Sequence, residues 1–373
     1  MANNKDKKIL NVPALRFPEF TGEWEKCKLE DITINFNLRN KDRINYPMYS
    51  VTNNRGFVPQ SEQFEDREMI GEDIKAYKII HKNDFAYNPA RINVGSIAKY
   101  NGDNPCMISS LYVCFKACNR VDSDWLMQLL KTPRMNFYYN TNGEGGVRVY
   151  LFYPNFSRIS TSLPIITEQK KIAKFLSLLD ERIATQNKII EKLETLIKGI
   201  IETVISSQKP TTLIKYCLEC NSSILQENQV AEYGTFPVYG AIGITGYTEA
   251  PDVNGESILI IKDGSGVGTV KFVTGEYDYI GTLNSLTAKD SYCLKYIYFA
   301  LQGFSFEPYK TGMAIPHIYF KDYGRAKIYC PPYKLQATIS QQLTCIESKI
   351  DVEKRILSDL AQQKSYLLSQ MFI

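Results

Sequence analysis

Residues 164–206 read PIITEQKKIAKFLSLLDERIATQNKIIEKLETLIKGIIETVIS, and residues 331–373 read PPYKLQATISQQLTCIESKIDVEKRILSDLAQQKSYLLSQMFI. The two stretches align without a gap at an offset of 167 (331 less 164), so that Gln169 falls on Gln336, Ile172 on Ile339 and Leu193 on Leu360. In the first, Ile172, Leu176, Leu179, Ile183, Gln186, Ile190, Leu193, Ile197, Ile200 and Val204 follow an unbroken 4-3 spacing. That is the period of a helix packed lengthwise on another helix. The second seam is Ile339, Leu343, Ile346, Ile350, Glu353, Leu357, Leu360, Lys364, Leu367 and Met371. Gln186 and Glu353 are polar at equivalent positions. Either they fix register at a cost in stability, or they lie at an end near solvent. Thr167, just after Pro164, is the expected N-cap of the first helix.

Working outward, the repeat continues upstream. YPMYSVTNNRGF (46–57) pairs with FPVYGAIGITGY (236–247), and Val94-Gly95-Ser96-Ile97 pairs with Val267-Gly268-Thr269-Val270. The offset is larger there than in the helices, so the first copy carries net insertions. The expected fold class is α+β: two mixed α/β domains in tandem pseudo-repeat, separated by two long helices that form an antiparallel intramolecular coiled coil. The expected domains are 1–163 and 207–330, with helices at 164–206 and 331–373. A helix of about 40 residues is roughly 60 Å long at 1.5 Å per residue. B-DNA turns once in about 34 Å, so two heads on such a rod would sit nearly two turns apart. The same periodicity also suits a four-helix dimer with no ruler role. Within the globular parts, Ser257–Ile261 and Thr269–Val273 read as strands, and Trp125–Leu130 and Lys295–Leu301 as short helices.

The chain has 373 residues, enough for two or three domains. Its 44 Lys+Arg against 40 Asp+Glu give a net charge of +4, which excludes a binder that works by bulk charge. Residues 1–163 hold 22 basic and 18 acidic side chains, and residues 207–331 hold 10 and 12. Any grip on a phosphate backbone must therefore come largely from partners. No apolar run is long enough to cross a bilayer, and the opening residues lack a signal-peptide core, so a cytoplasmic chain is expected. The nine cysteines read as reduced, mostly buried thiols. Cys217-x-x-Cys220 stands too far from Cys114 and Cys118 to suggest zinc.

Catalytic motifs are missing. An adenine methyltransferase needs an Asn/Asp/Ser-Pro-Pro-aromatic loop. Cys330-Pro331-Pro332-Tyr333 has cysteine at the acceptor position and reads as a helix start, while Asn88-Pro89-Ala90-Arg91 lacks the second proline. Lys262-Asp263-Gly264-Ser265-Gly266-Val267-Gly268-Thr269 lacks the Gly-Lys-Ser/Thr ending of a phosphate loop and precedes a strand, so it reads as a tight strand connection. Pro251-Asp252 with Glu256 lacks the lysine of a nuclease set, and two histidines leave little material for zinc or triad chemistry.

Val12-Pro13-Ala14-Leu15-Arg16-Phe17-Pro18-Glu19-Phe20, followed by Gly22-Glu23-Trp24, resembles the opening of type I restriction-modification specificity subunits. The two-fold repeat, Phe236-Pro237-Val238-Tyr239-Gly240 and the helix entry Leu163-Pro164…Glu168-Gln169-x-x-Ile172-Ala173 fit that family. The second entry departs from it with Leu335-Gln336. The resemblance implies a non-catalytic subunit whose two domains each read half of a bipartite site on double-stranded DNA. It implies helices that set the gap and dock two methyltransferase subunits, which carry S-adenosylmethionine. Two motor-nuclease subunits using ATP and Mg are implied as further partners. The alternatives are a coiled-coil scaffold with paired protein-binding modules and a self-sufficient DNA methyltransferase.

For base contacts, two matching loops are the expected candidates, 139–148 and 309–317. The first offers Asn140, Asn142, Gly143 and Arg148; the second offers Lys310, Thr311, Gly312 and His317. Glycine permits close backbone approach, and Asn, Arg and Lys read base edges. An ordinary hairpin loop is the plain alternative. Arg91, Lys99 and Lys262, beside glycine-rich turns, complete the set.

Overall fold

The computed structural model of the chain describes residues 10–62, 74–145 and 149–373. They form two compact units. Unit one holds the residues up to Thr185 together with Leu357–Ile373, and unit two holds Gln186–Ile356.

In unit one, the strands Thr33–Phe36, Val113–Ala117, Phe85–Tyr87 and Ile97–Lys99 lie side by side in that order, all antiparallel. Successive strand residues face opposite sides, so Phe85 and Tyr87 share one face. They pack there with Phe115, Phe156, Trp125 and Leu129. The helix Ser123–Leu130 starts where the Asp122 carboxylate accepts the N–H groups of Asp124 and Trp125 at 3.1 and 3.0 Å.

Unit two builds the same sheet from Leu218–Ser222, Leu283–Ala288, Ser257–Ile261 and Val270–Val273. Its short helix is Leu294–Gln302. The repeated segments 46–57 and 236–247 are equivalent hairpins, Tyr49–Thr52 with Gly56–Pro59 and Phe236–Gly240 with Gly243–Thr248. Unit two extends its hairpin with Glu276–Tyr279, parallel to Phe236–Gly240, and then Val253–Asn254.

A closing strand pair ends each globular part: Glu25–Lys28 with Ser160–Leu163 in unit one, Thr212–Leu213 with Lys327–Ile328 in unit two. Each pair delivers the chain into a long helix, Ile166–Ile200 and Tyr333–Gln370. Thr167 is not the cap of the first; it lies inside the first turn. A glutamine one turn in does the fastening, and it does so twice. Gln169 Nε2 donates to Pro164 O at 2.8 Å and Arg120 O at 3.2 Å, while its Oε1 accepts from Asp122 N at 2.8 Å. Gln336 Nε2 donates to Pro331 O at 2.7 Å, and its Oε1 accepts from Cys293 N at 3.0 Å. Asp122 and Cys293 are the N-cap residues of the two short helices. The same amide thus ties helix entry to domain in both copies. Glu168 is fully buried and takes a two-pronged bond from Arg16, at 2.7 and 2.8 Å. Its counterpart Leu335 is exposed, so the departure at the second entry replaces an ion pair with no equivalent anchor.

The seam faces inward as its period requires, with the two helices antiparallel. In unit one Ile172 and Leu176 enter the core beside Leu367, Leu368 and Met371, Phe372 reaches Trp125, Leu179 packs against them, and Lys364 bonds Asp180. Leu360 is also buried, and Ile183 and Leu357 are half-buried. In unit two Gln186, Ile190, Ile197, Ile339, Leu343, Ile350 and Glu353 are buried, and Leu193 and Ile346 half-buried. The first seam departs from expectation at its end. Ile201–Ser206 is π-wound, so burial steps by four from Ile197 to Ile201 and Ile205, and Val204 faces outward. The wider turn of a π-helix explains the step. Gly303 makes room for it: a Cβ there would stand 2.4 Å from Ser206 Oγ and 2.7 Å from Ile201 Cγ2.

Candidate nucleic-acid interface

The two expected reading loops fold differently from their sequence reading but share one frame. The run 139–142 is not a loop: Thr132 caps and Pro133 starts a helix, Pro133–Asn142, that buries Tyr139. Asn140 Nδ2 and Asn142 Nδ2 donate back to Asn136 O and Tyr138 O, at 2.8 and 2.9 Å. Asn140 Oδ1 accepts from Asn93 Nδ2 at 3.0 Å. The turn comes later. Glu144 and Tyr150 exchange two backbone bonds of 2.8 Å, and Gly145 holds φ +109. Gly143 lies where a Cβ would meet Val149 Cγ1 at 2.1 Å. Arg148 lies outside the described residues.

In unit two Thr311 and His317 exchange the equivalent bonds, at 2.9 and 2.7 Å, and Gly312 holds φ +92. The same offset, 167, that relates the long helices carries Glu144 to Thr311, Gly145 to Gly312 and Tyr150 to His317. A second tie is also duplicated. Leu151 N donates to Pro89 O at 3.0 Å in unit one, and Ile318 N to Lys262 O at 2.9 Å in unit two. Each turn is thereby stitched to the connection that leaves a central strand. In unit two that connection is the glycine-rich run from Lys262, a tight antiparallel turn between Ser257–Ile261 and Val270–Val273.

The candidate side chains fall into three states. Arg91 is exposed and in no ion pair among the described residues, and Lys262 is half-buried beside the duplicated tie. Lys99 and Lys310 are engaged: Lys99 Nζ lies 2.5 Å from Asp124 Oδ1 with its side chain 8% exposed, and Lys310 pairs with Glu307. His317 Nδ1 lies 2.7 Å from Asp263 Oδ1, a partner that sequence reading passed over. Applying the helix offset to 311–317 would have located the first turn at 144–150, and Thr132-Pro133 was the signal for the helix before it.

Cys330 lies just past the strand pair, before the helix, and its N–H donates to Thr211 Oγ1 at 3.0 Å. Its Sγ lies 3.7 Å from Cys217 Sγ, so the partner of Cys217 is not Cys220. The hydrogen bond between the two thiols holds Cys330 below its usual range and, together with burial, pushes Cys217 up. All nine cysteines are free, but only four are buried, fewer than expected, and Cys345 is exposed. Among the described residues no group of three His, Cys, Asp or Glu side chains gathers as a metal site, and no helix is long and apolar enough to cross a membrane.

The duplicated architecture has a named counterpart. The family model of the type I restriction modification DNA specificity domain matches twice, at residues 21–195 and 215–362. The chain belongs to that family. Members of this specificity family are similar to it over part of their length. A chain named as the MjaX specificity subunit of a type I restriction enzyme, from Methanocaldococcus jannaschii, is 26% identical over 200 residues, covering 50% of this chain and 47% of its own. A chain named as a type I specificity subunit of Mycoplasma genitalium is 27% identical over 231 residues, covering 55% and 59%. The matched region thus spans about half the length of those curated relatives. Among solved structures, the type I restriction-modification S subunit of M. genitalium shares the fold with a TM-score of 0.66 at 17% identity, over 97% of this chain and 99% of that one. A chain from a structure describing complex assembly and conformational transition of the type I system gives a TM-score of 0.56 at 15% identity, over 93% and 97%.

Proposed function

We propose that this chain is the non-catalytic DNA-addressing subunit of a type I restriction-modification complex. Residues 1–163 and 207–330 each read one half of a bipartite double-stranded target. The helices at 164–206 and 331–373 set the gap between the halves and dock two methyltransferase subunits. Those partners supply S-adenosylmethionine and adenine N6 methylation, and two motor-nuclease subunits add ATP- and Mg-dependent restriction. The setting is the cytoplasm. Arg91, Lys262, Thr311, Gly312 and His317, with Asn140, Asn142, Gly143 and Arg148, are the candidate DNA-facing groups; Lys99 and Lys310 join them only by exchanging their present ion partners for phosphate.

One observation carries this reading: the same backbone bridge, stitched to the connection that leaves a central strand, is made twice, between Glu144 and Tyr150 and between Thr311 and His317, with unlike side chains at its ends. A frame that holds still while its side chains change suits a surface that addresses two different half-sites. The balanced charge supports delegation of backbone grip to partners.

The test is to map methylated adenines in DNA from cells expressing this chain with its methyltransferase partner. A single bipartite motif is expected, and no methyl transfer by the chain alone. Methylation by the lone chain favours a self-sufficient enzyme, and sequence-independent binding by the complex favours a scaffold. Removing four residues from the first long helix is expected to change the gap in the motif or abolish binding; an unchanged gap with intact binding refutes the ruler.

A further inference from the structure

Unit two carries one feature that its duplicated frame does not dictate. His317 stands where unit one has Tyr150, and Asp263 stands where unit one has Ala90. The imidazole Nδ1 is 2.7 Å from Asp263 Oδ1, and both side chains are about one-third exposed, at 34% and 32%. They are therefore held and yet open to a ligand.

The hydrogen-bond chemistry of the pair is directional. An ionised carboxylate only accepts, so Nδ1 carries the proton that bonds Asp263. In the neutral ring this leaves Nε2 as a bare acceptor. Glycine at 312 keeps a side chain off the opposite ring edge: a Cβ there would stand 3.0 Å from His317 Cδ2 and 2.3 Å from Ile315 O. No described residue bonds Nε2. The ring is thus oriented by Asp263 and, when neutral, offers one acceptor to whatever meets this turn. In the major groove, the groups that donate to such an acceptor are the exocyclic amines, N6 of adenine and N4 of cytosine.

We infer that His317, oriented by Asp263, reads an exocyclic amino group of one base pair in the half-site addressed by residues 207–330. The inference rests on the DNA-addressing function proposed above. Asp263 is a positioning residue, and His317 is the contact. Unit one has no such pair, so its reading at the equivalent turn differs in kind.

The experiment measures binding of the full chain, assembled with its methyltransferase partner, to duplexes of the mapped motif. At each position of that half-site adenine is replaced by purine nucleoside, or cytosine by 2-pyrimidinone, each lacking only the amino group. The wild-type complex is expected to lose about five- to tenfold in affinity at one position, the range of a single hydrogen bond. His317→Ala is expected to show the same loss on the unmodified duplex and no further loss on that analogue. Asp263→Ala is expected to weaken discrimination at that position alone, and His317→Gln, which keeps an acceptor, to retain part of it. Undiminished discrimination at the other half-site verifies that each variant is folded. A loss spread evenly over all positions, with a shallower salt dependence, identifies a phosphate contact and overturns the inference. Unchanged discrimination in His317→Ala overturns it too. Sequence-independent binding by the wild-type complex overturns the proposed function along with it, which distinguishes the two failures.

Discussion

Gln186 and Glu353 occupy the same heptad position of the two repeated helices, and they bond to each other. Gln186 Nε2 donates to the Glu353 backbone oxygen at 3.1 Å and to its carboxylate, and both residues are buried. Lys349 Nζ adds an ion pair at 2.5 Å. A polar pair inside an apolar seam costs stability and restricts the registers that satisfy it. The double variant Gln186→Leu with Glu353→Leu is expected to unfold at higher temperature than either single variant, which leaves one polar partner orphaned. Thermal unfolding of all four chains checks this; additive single effects count against it.

The same carboxylate gives a pH dependence. Lys349 and Gln186 hold Glu353 below the ordinary glutamate value of 4.5. Because the folded value is the lower one, the stabilisation is fully present above about pH 4.5 and is lost as pH falls through the folded value. The stability advantage of the native chain over Glu353→Gln is expected to be level near neutrality and to shrink below that point. Denaturant midpoints across the acid range provide the measurement.

Arg16 and Glu168 predict a large local effect. Removing one member of a buried pair leaves an uncompensated charge, at a cost of about 3–5 kcal/mol. Arg16→Ala is expected to destabilise unit one by roughly the lower figure, since the Arg16 side chain keeps 15% exposure while that of Glu168 keeps 1%. Adding Glu168→Gln is expected to recover part of the loss. Hydrogen exchange at Trp24–Ile32 and Trp125–Leu130 reports it.

Gln169→Ala and Gln336→Ala are expected to act on separate units. Each removes bonds to backbone groups at a helix entry, worth about 1 kcal/mol apiece. The first variant is expected to loosen unit one more, because Gln169 has three such partners and Gln336 two. Exchange rates near Asp122 and near Cys293 separate the two.

Gly312→Ala tests the turn. Its φ of +92 and the 2.3 Å approach to Ile315 O both forbid a side chain there. Stability is expected to fall by about 1–3 kcal/mol, and discrimination at one half-site to fall further than discrimination at the other.

The long helices were legible because a strict period and a repeat reinforce each other, and the antiparallel seam followed from them. Residues 139–142 read as a loop because Asn140 and Asn142, with Gly143 next, favour turns locally, while Thr132-Pro133 upstream and the burial of Tyr139 made them helical. The His317–Asp263 pair was out of reach, since its partners lie 54 residues apart and meet only through strand pairing. Ile201–Ser206 was missed for a similar reason: winding there answers to the packing of Gly303, which no heptad encodes.

That π-wound stretch has a consequence for length variation. A π turn holds one residue more than the α turn it interrupts, so trimming a single residue between Ile201 and Ser206 lets the helix revert to ordinary winding. The same deletion between Leu176 and Ile190 would rotate every later seam residue by about 100°. The first long helix therefore contains a place where a one-residue loss is absorbed locally, and a longer stretch where it is not.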